Sequence, residues 1–280
     1  MRRREFSTLL SGVVMWPLAT SAQQSRRVAA LWPFAEGNAE GEAALAALRQ
    51  VLRERGWPNV QIDSRWGGGN IERTRAYAAE IVKSSPDVIF AYFNTQLASL
   101  SRETRTIPIV FVGASDPVGA GYVASLTRPG GNVTGFTLYE PTLASKWLEI
   151  LKQVTPGLVR VALLVNPDTA IVGGTFYLHV FDAAAASLGI KSIIAKVYSL
   201  ADIEAAIGSL GKQSGSGLIV APDTFTEVNG DLIASLAAQH RVPAIYAIGR
   251  LATRGGLMSY GPDAPDAVRR ATAYVENPAR

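Results

Sequence analysis

Two aspartates stand just beyond apolar runs, in Gly113-Ala114-Ser115-Asp116-Pro117 and Ala221-Pro222-Asp223-Thr224. A carboxylate so placed can pair with an ammonium when an apolar wall and a few fixed polar groups orient the partner. Similar groups end other apolar runs: Trp32-Pro33-Phe34, Tyr92-Phe93-Asn94-Thr95, Asn166-Pro167-Asp168 and Tyr246. Thr95 and Ser115, with backbone N–H groups at helix starts, have the donors to hold a carboxylate. Phe34, Tyr92 and Tyr246 offer aromatic surface. Asn, Asp and Pro are also ordinary turn and cap residues, and aromatics also pack against helices. Each residue therefore has an architectural reading of its own. Together they point to a cleft for a small ligand.

Catalytic chemistry is poorly supplied. His179 and His240 fall in predicted helices, and neither has a His partner four residues on. They build no metal pair. The absence of Cys excludes disulfides, thiolate metal sites and cysteine nucleophiles. Gly67-Gly68-Gly69 lacks the spacing of a dinucleotide loop and is read as a flexible loop. Gly208-Ser209-Leu210-Gly211-Lys212-Gln213 ends in Gln where a phosphate loop needs a hydroxyl. No Gly-x-Ser-x-Gly elbow occurs. No catalytic residue, metal or cofactor is expected.

The elements that must position these residues alternate. Val28–Trp32, Val60–Asp63, Asp87–Tyr92 and Ile107–Val112 read as strands in the first half. Helices at Glu42–Arg55, Ile71–Ser84 and Thr95–Glu103 separate them. The second half repeats the plan, with strands at Arg160–Val165, Ser192–Val197, Gly217–Ala221, Val242–Tyr246 and Leu257–Tyr260. Its helices are Thr142–Val154, Thr175–Leu188, Ala201–Leu210, Asn229–His240 and Ala264–Val275. Strands separated by helices must pair in parallel, and strands apolar throughout are buried on both faces. The 280 residues suit about two such units. The expected class is α/β, with two doubly wound parallel-sheet lobes. Ligands of these sheets bind beyond the carboxyl ends of the strands.

The first residues read as a bacterial secretory leader, residues 1–22. Arg2-Arg3-Arg4 precede a short apolar core from Leu9 to Ala19, and Thr20-Ser21-Ala22 supplies small residues for cleavage. The core is too short to span a bilayer. Arg3-Arg4-Glu5-Phe6 also resembles a twin-arginine signal, so export by either the general or the twin-arginine route fits. Cleavage would take 27 basic and 23 acidic residues to 24 and 22, lowering the net charge from +4 to +2. A nearly neutral body argues against nucleic acid as a partner.

One stretch is more specific. Ile107-Pro108-Ile109-Val110-Phe111, then Asp116-Pro117-Val118-Gly119, then Val123-Ala124-Ser125-Leu126-Thr127-Arg128-Pro129-Gly130-Gly131-Asn132-Val133-Thr134-Gly135 resembles the signature of the ABC-transporter substrate-binding protein family related to tryptophan and tyrosine uptake. Arg160 to Pro167 and Gly255 to Asp263 resemble two further family segments. The resemblance implies a type I periplasmic-binding fold, whose lobes hinge shut over a small, amino-acid-like solute. It implies transient docking to an ABC permease of the inner membrane, a periplasmic location and a monomer. Lobe one would comprise 28–137 plus 256–280, with 132–136 crossing over, and lobe two 138–255. The motifs carry over Asn94, Thr95, Ser115, Asp116, Asn166 and Asp223 as pocket residues. Many members have a Gly-Gly-Thr type of loop where this chain has Tyr92-Phe93-Asn94, which would narrow the pocket or add a stacking wall. Members usually continue past the position of Asn277-Pro278-Ala279-Arg280, so part of lobe one and a hinge strand are expected to be lacking. Two other readings share the scaffold: a secreted enzyme, and a ligand-sensing module that docks to a membrane receptor.

Overall fold

The structure, a computed structural model, describes residues 26–247, 249–253 and 255–275. The leader at 1–22 and the tail at 277–280 lie outside the described residues. Strands β1 (Arg27–Trp32), β3 (Val88–Tyr92) and β4 (Ile109–Val112) are buried nearly throughout, so each needs cover on both faces. They take the centre of a parallel sheet, flanked by β2 (Gln61–Trp66) and β5 (Val133–Phe136) in the order β2-β1-β3-β4-β5. The register sets Ala30 beside Phe90 and Ala91 beside Phe111. Helices α1 (Ala39–Glu54), α2 (Ile71–Lys83) and α3 (Asn94–Glu103) connect the first four strands.

Local chemistry accounts for the helix starts. Asn38 caps α1 by accepting from the N–H groups of Glu40 and Gly41, and Asn70 caps α2 through Arg73 N–H. The buried stripe of α1 runs through Ala44, Leu45, Leu48, Val51 and Leu52. Each buried Leu contributes about 1.5–3 kcal/mol relative to exposure.

After β5 the chain passes to a second sheet through α4 (Leu143–Val154). Strands β6 (Arg160–Val165), β7 (Lys191–Lys196), β8 (Ser216–Val220), β9 (Ala244–Tyr246) and β10 (Met258–Ser259) lie parallel in the order β10-β9-β8-β6-β7. From the opposite edge this is the winding of the first sheet. Helices α5 (Leu178–Ser187), α6 (Leu200–Gly211), α7 (Thr224–Val228), α8 (Gly230–Gln239) and α9 (Gly249–Thr253) complete the lobe. The chain then returns, and α10 (Ala264–Val275) packs on α1, β4 and β5. The two doubly wound α/β lobes expected from the sequence are present.

Two details correct that reading. A return to lobe one at residue 256 is too early, because β10 pairs with β9 through Met258–Ile245 and Ser259–Tyr246. The glycine run is not a loose loop. The N–H groups of Gly67, Gly68 and Gly69 donate to the carbonyls of Trp32, Phe34 and Pro33 at 2.9, 2.9 and 2.8 Å. Glycine is needed there for close approach: at φ 72°, a Cβ on Gly69 would lie 2.8 Å from Val228 Cγ2 in the other lobe.

An aromatic-rich core runs through both lobes, including Trp32, Phe90, Tyr92, Trp147, Tyr177 and Phe181. Among the described residues no helix is long and apolar enough to cross a membrane, and no group of three potential ligands could hold a metal ion.

Candidate functional site

In a sheet of order 2-1-3-4-5 the chain reverses its winding between the first and third strands, and that crevice is where ligands bind. In lobe one the crevice loops follow β1 and β3, bringing Phe34 and Phe93-Asn94-Thr95 to one place. In lobe two they follow β6 and β8, bringing Asn166 and Asp223.

Phe93 occupies the cap position of α3 at φ 71° and ψ 175°. That region is essentially restricted to glycine, and a side chain there costs about 1–3 kcal/mol. Phe93 has no side-chain acceptor, so no side-chain cap covers the amides that open α3. Asn94 Oδ1 accepts from Ser115 N–H at 3.0 Å, tying the loop after β3 to the loop after β4. Asp116 has φ 43°, and its Oδ1 accepts from Gly119 N–H at 2.8 Å, which is turn chemistry.

Asp223 is the hub of the second lobe. Its Oδ2 accepts from Asn166 N–H at 3.1 Å. Its Oδ1 accepts from the Thr169 hydroxyl and from Thr226 N–H, each at 2.9 Å. It also caps α7, while Thr226 Oγ1 donates to Ala221 carbonyl at 2.6 Å. Asn166 Oδ1 in turn accepts from the N–H groups of Asp168 and Thr169. Asp223 is 2% exposed. Burial pushes its carboxyl up to about 6, against the opposing pull of its donors. Glu227, one turn further along, is also buried. Burial, then Asp223 and Asp231, push it up to about 8.

Aromatic rings line the contact between the lobes. Tyr92 packs on Trp32 and Phe34 at centroid separations of 5.8 and 5.9 Å, and Phe93 meets it edge-on at 4.6 Å. Trp147 and Phe176 pack on Tyr177 at 5.3 and 4.9 Å. The Tyr177 hydroxyl faces Ser115 of lobe one without reaching hydrogen-bond geometry. Burial first, and the Glu227 carboxyl second, raise the Tyr92 and Tyr139 hydroxyls well above their ordinary range. Beside this closed centre lies an open cleft of about 370 Å³, lined by Asn94, Thr95 and Arg102 from one lobe and Asp168, Thr169 and Val172 from the other.

The residues singled out in the sequence thus divide. Asn94 and Thr95 line the open cleft. Phe34, Tyr92, Ser115, Asn166 and Asp223 are buried beside it, and Asp116 holds a turn. Tyr246 stands apart, in the other core of lobe two, beside a cavity of about 290 Å³. Burial pushes its hydroxyl up to about 12. Sequence reasoning passed over Tyr139, Thr169, Tyr177 and Glu227. Glu227 had one signal, its place four residues after Asp223 where a helix brings it to the same face. A larger cavity of about 740 Å³, lined by Arg26, Arg27, Arg55 and Trp57, sits at the amino ends of the first sheet's strands, away from the crevice.

Two parallel-sheet lobes with their crevices facing across a cleft define the architecture of the periplasmic binding proteins. The profile of the family described as ABC transporter substrate binding protein matches residues 34–277, and the chain belongs to that family. It is 26% identical over 218 residues to a tyrosine-binding protein of Clostridioides difficile (strain R20291), covering 76% of this chain and 61% of that protein. The chain therefore spans less than two thirds of that relative. Among solved structures, a conserved domain protein from Vibrio cholerae superposes with a TM-score of 0.81 at 25% identity, covering 90% of this chain and 84% of that one. An ABC domain in complex with L-Trp from Streptococcus pneumonia superposes at 0.80 and 20% identity, with the same coverage.

Proposed function

We propose that this protein is the solute-binding component of an ABC importer and that it closes its lobes over a small amino-acid-like solute. The observation that carries the reading is the polarity across the cleft. Lobe one presents the uncapped start of α3 with Asn94 and Thr95, donors suited to a carboxylate, and Ser115 lies buried behind them, its N–H held by Asn94. Lobe two lines the cleft with Asp168 and Thr169, and the buried Asp223 carboxylate stands directly behind Thr169, so this side offers acceptors suited to an ammonium. Tyr92, Phe34 and Tyr177 supply the apolar wall. A solute with both charges would join the lobes, and closure is a hinge motion. The tyrosine-binding relative supports an amino acid as the solute class.

On this reading residues 1–22 direct export to the periplasm, the protein is a monomer, and it docks transiently on a permease of the inner membrane without catalysing a reaction. Binding is tested on the chain lacking residues 1–22, by thermal shift against amino acids, other carboxylates and sugars. A true ligand raises the melting temperature with its concentration. A folded protein unmoved by every amino acid overturns the assignment.

A further inference from the structure

We infer that Phe93 sets the size of solute the cleft accepts, its ring standing where the side chain of a bulky ligand would otherwise lie. The inference rests on the amino-acid reading above and names the class within it: solutes with small side chains.

Three observations meet at this residue. The backbone is held at φ 71° and ψ 175°, where glycine is relaxed and phenylalanine is not. Strain of this kind persists only where surrounding packing imposes it, and it gathers at ligand clamps. The packing is visible. The ring is 4% exposed and meets Tyr92 edge-on at 4.6 Å. Its other contact is Gly113, at the end of the neighbouring strand. A Cβ on Gly113 would lie 2.8 Å from Phe93 Cδ1 and 2.9 Å from Cε1. Two adjacent loop tips are thus fitted to each other, one with an aromatic ring and the other with no side chain at all. The third observation is position. The next two residues, Asn94 and Thr95, line the open cleft, and Tyr92, on which the ring rests, reaches the field of Glu227 in lobe two.

A ring needed only to fill the core would not have to sit on a strained turn beside the donors of the cleft. Glycine in its place would relax the backbone, and either glycine or leucine would free part of the volume the ring fills beside those donors. The same site would then take a larger solute.

The test compares the wild-type chain with Phe93→Gly and Phe93→Leu by calorimetric titration of alanine, serine, leucine, tyrosine and tryptophan. The wild type is expected to favour the small members. Phe93→Gly is expected to shift the tryptophan-to-alanine affinity ratio by about tenfold or more toward tryptophan, with Phe93→Leu between. If Phe93→Gly does not fold, Phe93→Leu carries the same ratio. A ratio unchanged within about twofold in a folded variant overturns the inference and leaves the amino-acid reading intact. Wild-type preference for tryptophan over alanine also overturns it. Binding of no amino acid by any of the three proteins overturns the amino-acid reading itself, and the inference with it.

Discussion

The backbone N–H of Asn166 donates to Oδ2 of Asp223 across 3.1 Å, so one side chain binds the loop after β6 to the loop after β8. With Thr169 and Thr226 on its other oxygen, Asp223 holds the crevice of lobe two in shape. Removing the carboxyl leaves several buried donors without acceptors, each worth about 1–3 kcal/mol. Asp223→Ala is therefore expected to lose about 3 kcal/mol in urea unfolding. Asp223→Asn, which keeps one acceptor oxygen, is expected to lose less. An Asp223→Ala variant as stable as the wild type would remove the hub role.

The carboxyls of Asp223 and Glu227 fix the sign of the pH dependence. Asp223 rises from 3.8 to about 6 and Glu227 from 4.5 to about 8 on folding. Between those values the folded state binds more protons than the unfolded one, so stability falls as pH rises. Their contribution is present in full below about pH 4 and lost by about pH 8. Neighbouring carboxyls titrate as a pair. Melting temperatures taken from pH 4 to 8 should decline, and Glu227→Gln should flatten the upper part of the decline. An equal slope in that variant would contradict the assignment.

Gly69 offers a way to act on closure without touching the cleft. At φ 72° an alanine costs about 1–2 kcal/mol, and its Cβ would press on Val228 of the facing lobe. Gly69→Ala is expected to weaken solute binding about tenfold, a cost of about 1.4 kcal/mol, and to enlarge the radius of gyration measured with solute present. Unaltered affinity and radius would show that this contact does not limit closure.

Trp147 Nε1 donates to the carbonyl of Tyr260 at 2.6 Å, pinning the stretch between β10 and α10 to α4. Trp147→Phe keeps an aromatic ring and loses the donor. It should destabilise by about 1–3 kcal/mol in denaturant melts. A change below about 0.5 kcal/mol, the size of an ordinary surface substitution, would mean the bond has no structural weight.

The lobes were legible because their central strands are apolar on both faces. Val88–Tyr92 and Arg160–Val165 admit little but a buried parallel strand. The short helix α7 was not, since Thr224–Val228 has no apolar stripe and depends on the Asp223 cap. In the site, Asp223 and Asn94 stood out at strand ends, where winding rules place ligands. Tyr139 and Tyr177 did not, because they approach Ser115 and Glu227 only once both lobes are built. Phe93 was the hardest to read. Its backbone contradicts its own residue type, and the reason lies in Gly113, remote in sequence and adjacent only through the pairing of β3 with β4.

Helix α10 reaches the first lobe from the opposite end of the sequence, after the whole second lobe has intervened. Every described strand of both sheets precedes, along the chain, the helix that packs on α1. Until that helix packs, the side of α1 that it covers stays exposed. Contacts separated this far along a chain close slowly. The lobe that comes first along the chain thus completes its packing last, and in that interval it is the part most open to chaperones and to aggregation.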